Sequence, residues 1–162
     1  MPKGVTAVAA AWAYEGPARS LILTLKVRGL RGAAGPLIEG MISSSHRAGL
    51  TGSVVTWVPA HRSDVRRRGF DHAEVLARGL ACEAGLHAHR LIRRRLGTRD
   101  QASLSAPDRA LNVRDAFCAE ASPPGVVLVD DLITTGATAA ACVRALRNAG
   151  AREIEVVVAC RA

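Results

Sequence analysis

Aromatic side chains are scarce in this chain of 162 residues, since Phe, Trp and Tyr make up only 3% of it. A core must therefore be built from Ala, Val and Leu, which suits close packing of helices on a sheet. The scarcity also leaves no aromatic platform on which the bases of a single-stranded nucleic acid could stack. Contacts with phosphate groups are not excluded, because 22 Lys and Arg against 14 Asp and Glu give a net charge of +8. We expect an anionic partner, and nucleic acid is one candidate for it.

The four cysteines lie far apart, and no two of them form a C-x-x-C pair. This spacing excludes the common zinc modules and argues against a disulfide framework. The five histidines likewise show no metal-ligand spacing with a carboxylate. We therefore expect a cytoplasmic, reducing environment in which each cysteine is a small buried apolar residue: Cys82, Cys118, Cys142 and Cys160.

Long hydrophobic runs are absent too, so no segment is long enough to cross a membrane and no membrane partner is expected. The apolar run near the N-terminus is short, and the turn signal Tyr14-Glu-Gly-Pro follows it directly. These features favour a first buried strand over a signal peptide.

Short apolar runs alternate with helical patterns along the whole chain. Strands are predicted at Val5–Tyr14, Ser53–Val58, His89–Ile92, Val113–Ala119, Val126–Val129 and Ile154–Ala159. Helices are predicted from Gly16 to just before Gly29 and over residues 33–46, 71–83 and 137–149. This alternation predicts an α/β fold, a mainly parallel central sheet flanked by helices, in one domain spanning residues 1–162. The polar stretch 95–112 predicts a flexible loop, and loops of that length are often functional lids.

The segment from Val126 to Thr138 carries the clearest chemical pattern, VVLVDDLITTGAT. A buried strand delivers two carboxylates, Asp130 and Asp131, at the end where ligands of open α/β sheets bind. A turn of small residues then opens a helix, whose first N–H groups and dipole favour an anion. Gly136 lets a ligand approach the backbone closely. The candidate phosphate-binding residues are Thr134, Thr135, Gly136, Ala137 and Thr138.

The two aspartates lie too near such a phosphate to bind it themselves. Their predicted role is to accept hydrogen bonds from sugar hydroxyls, which makes a phosphorylated ribose the expected ligand. The chain has no Gly-Lys-Ser/Thr of a Walker A loop and no G-x-G-x-x-G. The alternative interpretation is that the aspartates and threonines only cap the helix.

This segment resembles the phosphoribosyl pyrophosphate (PRPP) motif of the type I phosphoribosyltransferases, in which an apolar run precedes Asp-Asp and Thr-Thr-Gly-x-Thr. The resemblance implies a Rossmann-like parallel sheet with flanking helices, and Mg-PRPP as the ligand. Asp130 and Asp131 would then be catalytic residues that orient the ribose. The Mg cofactor would be carried by PRPP, without a direct protein ligand.

Further motifs resemble one branch of that family, the competence protein F (ComF)-like proteins, which implies a link to DNA uptake. The branch often has Asn-Gln after Arg-Gly-Phe, where this chain has Asp71-His72, and many relatives begin with a four-cysteine zinc module that is missing here. In chain order the matching residues are Tyr14-Glu-Gly-Pro with Leu25-Lys26-Val-Arg-Gly29, Val58-Pro59 with Arg68-Gly69-Phe70 and Leu76-Ala77, and then Thr98, Gln101, Leu104, Arg109, Asn112 and Phe117.

Other candidate residues follow from this resemblance. Pro59 and Ala60 stand where a turn binds pyrophosphate through its backbone N–H groups, and Arg68 stands in the Arg-Gly-Phe motif. Arg94 precedes the long loop, where an arginine could act in catalysis by neutralising the charge that develops on pyrophosphate. An ordinary turn and solvated surface arginines are the alternatives. Lys26 is expected to be solvated rather than close to the ligand.

The first functional hypothesis is an enzyme that transfers the phosphoribosyl group of Mg-PRPP to an unknown acceptor and releases pyrophosphate. The second is a non-catalytic protein that binds PRPP or a nucleotide, or that associates with DNA through its basic surface. The third is a PRPP-sensing regulator. Residues 1–50 would have to supply a reduced form of the hood that recognises an acceptor, and a homodimer is possible.

Overall fold

The computed structural model describes residues 4–95 and 116–162, and every element named below belongs to that part of the chain. Its seven strands are β1 (Ala7–Ala13), β2 (Val54–Trp57), β3 (His87–Ala88), β4 (Ile92–Arg94), β5 (Phe117–Ala119), β6 (Gly125–Ile133) and β7 (Glu153–Arg161). Its five α-helices are α1 (Gly16–Lys26), α2 (Ala34–Ala48), α3 (Arg62–Arg68), α4 (His72–Glu83) and α5 (Ala137–Asn148). A short 3-10 turn at Arg31–Ala33 joins α1 to α2.

Five of the strands form one parallel sheet in the order β1-β7-β6-β2-β3, with β6 in the centre. β6 and β7 pair along their length, from Gly125 opposite Glu153 to Ile133 opposite Arg161. Both are rich in valine and almost wholly buried, as parallel strands covered by helices on two faces are. β4 and β5 form a separate antiparallel pair. The predicted α/β fold with a mainly parallel sheet is confirmed.

The two faces of the sheet carry separate apolar cores, because successive residues of a strand point to opposite sides. Val127 and Val129 of β6 pack with α1, α2 and α4, whereas Val126 and Leu128 pack with α5 and the β4–β5 pair. β1 joins the sheet edge beside β7, so residues near the N-terminus belong to the same core as the rest of the chain.

Two predicted strands differ from the observed ones. The predicted strand His89–Ile92 is wrong, because β3 ends at Ala88 and β4 begins only at Ile92. β1 is an edge strand in which only Ala9 is fully buried, so the expectation of a buried first strand is also wrong. β5 covers Phe117–Ala119, and residues 113–115 of that prediction lie outside the described residues, as does most of the predicted 95–112 loop.

β6 and α3 also differ from the predicted elements. β6 continues through both aspartates to Ile133, beyond the predicted end at Val129, because Leu132 and Ile133 still pair with β7. α3 has no counterpart in the prediction, since its sequence, RSDVRRR, lacks an apolar face and none of its residues is buried. α3 ends at Gly69, whose backbone is left-handed (φ 79°), a conformation that glycine adopts readily at the end of a helix.

The cysteines are free, and only two of them are buried as expected, Cys142 and Cys160. Cys118 is half-buried, and Cys82 is exposed near the end of α4, so the expectation of four buried cysteines is wrong. Within the described ranges, none of the helices has the length and apolar character needed to cross a bilayer.

Candidate functional site

The turn between β6 and α5 presents a helix N-terminus that is only weakly capped. Gly136, directly before α5, has a left-handed backbone (φ 77°) and no side chain with which to cap the helix. Thr134, Thr135 and Ala137 are exposed, and Thr138 is half-buried. The Ala137 N–H donates to Thr135 Oγ1 over a long distance of 3.4 Å. Open N–H groups, hydroxyls and the positive end of the helix dipole can together hold an anion such as phosphate.

Asp130 and Asp131, near the carboxyl end of β6, are both buried. The Asp131 N–H donates to Asp130 Oδ1 at 2.9 Å. Burial and the neighbouring charge of Asp131 raise the pKa of Asp130 well above the usual range of aspartate. Burial acts in the same direction on Asp131, but the hydrogen bonds and charges of His72 and Lys26 outweigh it and hold the pKa of Asp131 well below the usual range. Of the two carboxyls, Asp130 therefore holds its proton more tightly and Asp131 is the more readily ionised.

Two helices bring side chains to the Asp131 carboxylate. Lys26 Nζ, at the end of α1, lies 3.0 Å from Oδ2 and 3.3 Å from Oδ1. His72 Nε2, at the start of α4, lies 3.4 Å from Oδ1. Burial alone would lower the pKa of Lys26, but the charge and hydrogen bond of Asp131 raise it above its ordinary value, so the ammonium stays charged. Lys26 was expected to be solvated, and the structure instead pairs it with Asp131. The contact of His72 with Asp131 joins residues far apart in the sequence, so the spacing of the histidines could not reveal it.

Asp71 connects this cluster to the turn that follows β2. Its Oδ2 accepts a hydrogen bond from the Ala60 N–H at 3.0 Å, and its Oδ1 accepts one from the Ala73 N–H at 3.1 Å. One carboxylate thus caps α4 and anchors the turn. The Asp71-His72 pair, which departs from the branch pattern, therefore supplies two polar contacts, one to the turn and one to the aspartate pair.

The Pro59-Ala60 turn lies beside the aspartates on the neighbouring strand. Trp57 of β2 pairs with Val129 of β6, and the Val58 N–H donates to the Val129 carbonyl at 2.9 Å. The next residues on each strand therefore run side by side at the carboxyl edge of the sheet. This placement brings the predicted pyrophosphate turn next to the predicted ribose site.

A cavity of about 470 Å³ opens beside this turn, and most of its polar lining is arginine. Arg90 pairs with Glu74 at 2.7 Å and Arg93 pairs with Glu120 at 3.0 Å, so the charges of these two are compensated. The other three, Arg62, Arg66 and Arg94, have no acidic partner within 4 Å among the described residues.

Arg94 is the most enclosed of these uncompensated arginines. Its Nε is buried without a hydrogen-bond partner in the described part of the chain, and its guanidinium carbon lies 4.9 Å from the centre of the Phe117 ring. A buried donor without a partner is costly, so an anion bound in the cavity would find a donor already desolvated. Arg94, predicted from its place before the long loop, thus belongs to the cavity.

Arg68 occupies a different position from the cavity arginines. Its Nη1 donates to the Lys26 carbonyl at 2.8 Å, and only 5% of its side chain is exposed. The observed contact is therefore with the end of α1, and a direct contact with PRPP stays a prediction.

Three residues of this cluster were absent from the predicted site, namely Lys26, His72 and Asp71. Lys26 belongs to one of the branch motifs, which is the only signal in the sequence that could have suggested it. The contact itself spans 105 positions along the chain and follows from the tertiary structure alone.

Residues 65–162, more than half of the chain, match the family model of the phosphoribosyl transferase domain. The chain belongs to this family. The matched range includes the loop, the aspartate pair and α4, whereas α1, which supplies Lys26, lies before it.

Two curated relatives specify the branch of the phosphoribosyl transferase family. Competence protein F of Haemophilus influenzae is 34% identical over 105 residues, which are 61% of this chain and 46% of the relative. The DNA utilization protein YhgH of Escherichia coli (strain K12) is 35% identical over 115 residues, which are 67% and 48% of the two chains. The protein is thus a competence protein F-like member of the family, and it spans about half the length of these relatives.

Solved structures support the fold. A structure of the allosteric regulatory enzyme of purine biosynthesis superimposes with a TM-score of 0.53 at 24% identity, over 78% of this chain and 25% of the other. Glutamine PRPP amidotransferase from B. subtilis, solved with ADP and GMP, gives a TM-score of 0.52 at 25% identity, over 78% and 26%.

The family implies a Mg ion alongside its ligand, and Mg prefers oxygen ligands with open coordination positions. One described group, His72, Asp130 and Asp131, has candidate ligand atoms within 4.8 Å of one another. All three are buried, and Lys26 already bonds both Asp131 oxygens. This group does not suit a resident Mg ion, and we assign no direct metal ligand.

Proposed function

We propose that this protein binds Mg-PRPP and transfers its phosphoribosyl group to an acceptor, with release of pyrophosphate. The observation that carries the proposal is the row formed by the Thr134–Thr138 loop, the Asp130–Asp131 pair and the arginine-lined cavity at the carboxyl ends of β6 and β2. An anion site, hydroxyl acceptors and a cationic cavity follow one another, as the 5-phosphate, ribose and diphosphate do in PRPP. Membership in the phosphoribosyl transferase family supports the same assignment.

The loop would hold the 5-phosphate, and the aspartate pair would face the sugar. The N–H groups at the start of α5 would donate to phosphate oxygens, together with the hydroxyls of Thr134, Thr135 and Thr138. An ionised carboxylate has about four acceptor positions, so the contacts of Asp131 with Lys26 and His72 leave room for one ribose hydroxyl.

The cavity would hold the diphosphate. Three uncompensated arginines and the backbone of the Pro59-Ala60 turn line it, and pyrophosphate carries several negative charges. The turn itself would supply shape rather than donors, because Pro59 has no N–H and the Ala60 N–H is already donated to Asp71. The predicted binding of pyrophosphate by backbone N–H groups of these two residues is therefore not supported, and the arginines would be the donors. The contact with Asp71 fixes the geometry of the turn before a ligand arrives. A site organised in advance loses little entropy on binding.

The transfer breaks the bond between ribose C1 and the pyrophosphate oxygen, which keeps the electron pair. A bond between C1 and the acceptor forms, and the acceptor loses a proton. Positive charge is expected on the sugar ring as the first bond breaks, as in glycosyl transfer generally. The charged Asp131 would face the sugar, and Arg94 with its neighbours would face the leaving group, so each developing charge meets its opposite. The Mg ion that accompanies PRPP adds to the neutralisation of the diphosphate.

Two substitutions of one exposed residue test the loop. Thr135→Asp places a negative charge at the proposed 5-phosphate position, and its carboxylate can still accept the Ala137 N–H. Thr135→Asn is the matched neutral control. We expect calorimetric titration with Mg-PRPP to show at least about a tenfold loss of affinity for the aspartate and less than about a threefold change for the asparagine.

Equal affinities of the two variants would contradict the placement of the 5-phosphate. The absence of PRPP binding by the folded wild-type protein would overturn the proposed function. A donor labelled in the ribose then distinguishes the remaining alternatives: binding without transfer or hydrolysis would support a PRPP-binding regulator over a transferase.

Association with DNA is the second candidate function. It is supported by the net charge of +8, by the uncompensated Arg62 and Arg66 on α3, and by the relatives whose names refer to competence and DNA utilization. Binding of this kind would depend on the salt concentration.

A further inference from the structure

Lys26 stands out because it is the accessible member of a buried charge cluster. Its side chain is 40% exposed, whereas that of Asp131, its partner at 3.0 Å, is 3% exposed and that of His72 is 7% exposed. The two buried groups therefore lie behind the ammonium. The charge that this cluster presents toward solvent is that of the lysine.

Both ends of Lys26 are held in place. Its carbonyl accepts a hydrogen bond from Arg68 Nη1 at 2.8 Å, and its ammonium contacts both oxygens of Asp131. A flexible lysine normally loses considerable rotamer entropy when it binds a ligand. Here the protein has already restrained the side chain, so a contact with a ligand would cost less.

The ammonium keeps donor capacity for a ligand. It has three N–H donors and no acceptor, and the single carboxylate of Asp131 occupies one or two of them. At least one donor remains on the exposed part of the side chain. A charged donor of this kind matches an anionic oxygen better than a neutral hydroxyl.

The position of Lys26 also indicates which phosphate it could reach. Successive residues of β6 point to opposite faces, so Asp131 points toward α1 and α4, whereas Asp130 points toward α5 and lies near Cys142. Lys26 is thus on the face of β6 opposite α5, whose N-terminus would hold the 5-phosphate. His72 follows Asp71, which lines the arginine cavity, so the diphosphate is the nearer anionic group.

We propose that Lys26 is a ligand-binding residue of this site, and that its ammonium, held by Asp131 and His72 as positioning residues, donates to an oxygen of the diphosphate group. This role rests on the proposed function, since the diphosphate is that of PRPP. Lys26 lies before the range that matches the phosphoribosyl transferase family, so the contact adds a residue from α1 to a site whose loop and aspartate pair lie within residues 65–162.

Calorimetric titrations with inorganic pyrophosphate, Mg-PRPP and ribose 5-phosphate test the assignment. Lys26→Gln removes the charge but keeps a hydrogen-bond donor for Asp131. Arg28→Gln is the control, because it removes an exposed positive charge two residues away. We expect Lys26→Gln to lower the affinity for pyrophosphate and for PRPP by about tenfold or more. The affinity for ribose 5-phosphate should change by less than about twofold. Arg28→Gln should change the affinity for each of the three probes by less than about twofold.

The positioning role of Asp131 is tested by a double-mutant cycle. If Asp131 acts on pyrophosphate through Lys26, the losses caused by Asp131→Asn and Lys26→Gln should not add in the double variant. Additive losses would contradict this coupling. If Lys26→Gln fails to fold, the wild-type protein still gives a readout, because bound pyrophosphate should shift the NMR signals of the Lys26 ammonium. An unchanged signal at saturation would overturn the proposal.

The outcomes separate the two proposals. Wild-type binding of PRPP that survives Lys26→Gln unchanged would overturn the role of Lys26 and leave the proposed function standing. A wild-type protein that binds none of the three probes would overturn both. Equal losses in Lys26→Gln and Arg28→Gln would also count against Lys26, since they would show an effect of overall charge.

Discussion

Two adjacent aspartates of identical chemistry lie in opposite electrostatic surroundings. Asp131 has a cation and a histidine within hydrogen-bonding range, whereas Asp130 is buried and has no cation in contact among residues 4–95 and 116–162. The pKa of Asp130 is raised, so the folded protein binds its proton more tightly than the unfolded chain does. The free energy of unfolding should therefore fall as pH rises above the unfolded value of about 4. The pKa of Asp131 is lowered, so its contribution is present above about pH 4 and is lost as pH falls below that value.

Substitution of each aspartate by asparagine should therefore have opposite effects on stability. At neutral pH we expect Asp130→Asn to raise the free energy of unfolding by about 1 kcal/mol or more. We expect Asp131→Asn to lower it by about 1 kcal/mol, because Lys26 loses its counter-ion but is 40% exposed, so that solvent screens the charge left behind. Urea denaturation at about pH 5 and pH 8 measures both changes. The gain from Asp130→Asn should be larger at the higher pH, and a gain independent of pH would contradict a raised pKa of Asp130.

At the scale of the element, the packing of α2 on β1 depends on a glycine. A Cβ atom added to Gly40, in the middle of α2, would overlap the ring of Trp12, which lies at the end of β1. Gly35, near the start of the same helix, has open space around it. The same residue type therefore has two different roles in one helix.

This contrast gives a matched pair of substitutions. An alanine normally stabilises a helix interior relative to glycine by about 1 kcal/mol. We expect Gly35→Ala to raise the free energy of unfolding by up to that amount, and Gly40→Ala to lower it by about 1–3 kcal/mol, because Trp12 must move. Urea denaturation of the two variants is the measurement. Equal stabilisation by both would show that the Trp12 ring does not pack over Gly40.

Local patterns explain why the elements could largely be predicted from the sequence. The valine-rich β6 and β7 and the amphipathic α4 and α5 were evident, because each shows an apolar run or a helical repeat of its own. α3 could not be predicted from periodicity, since its arginine-rich sequence has no apolar face. β4 pairs with β5 across the residues outside the described ranges, so its strand character is a long-range property.

At the scale of the whole molecule, arginines without an acidic partner lie at both ends of the sheet. In the described ranges this holds for Arg62 and Arg66, which line the cavity at the carboxyl edge, and for Arg152, which precedes β7 at the opposite end. We expect a nucleic acid to bind at the carboxyl edge, because three such arginines line one cavity there. Such binding releases counter-ions and weakens steeply with salt.

The DNA-associated function can be tested through this salt dependence. We assume that arginines contact about three phosphates of single-stranded DNA. A plot of the logarithm of the association constant against the logarithm of the salt concentration should then have a slope of about −2. The double variant Arg62→Gln, Arg66→Gln should reduce that slope by about 1.4, and Arg152→Gln should leave it unchanged. Fluorescence anisotropy of a labelled oligonucleotide measures the slopes. Equal slopes for the three proteins would contradict binding at this edge.

The sequence by itself determined the α/β class and the family resemblance, and it pointed to the loop after β6 as a phosphate site. The fold class and the family are confirmed, and the phosphate site stays a prediction. All three inferences were possible because a buried strand, a small-residue turn and the start of a helix are contiguous, so that their physics is local. Only the tertiary structure decided that Lys26 and His72 meet at Asp131 and that Arg94 lines a cavity with α3. Such contacts join helices far apart in the chain, and the pKa of each aspartate depends on them, because burial and the nearest charge act through space.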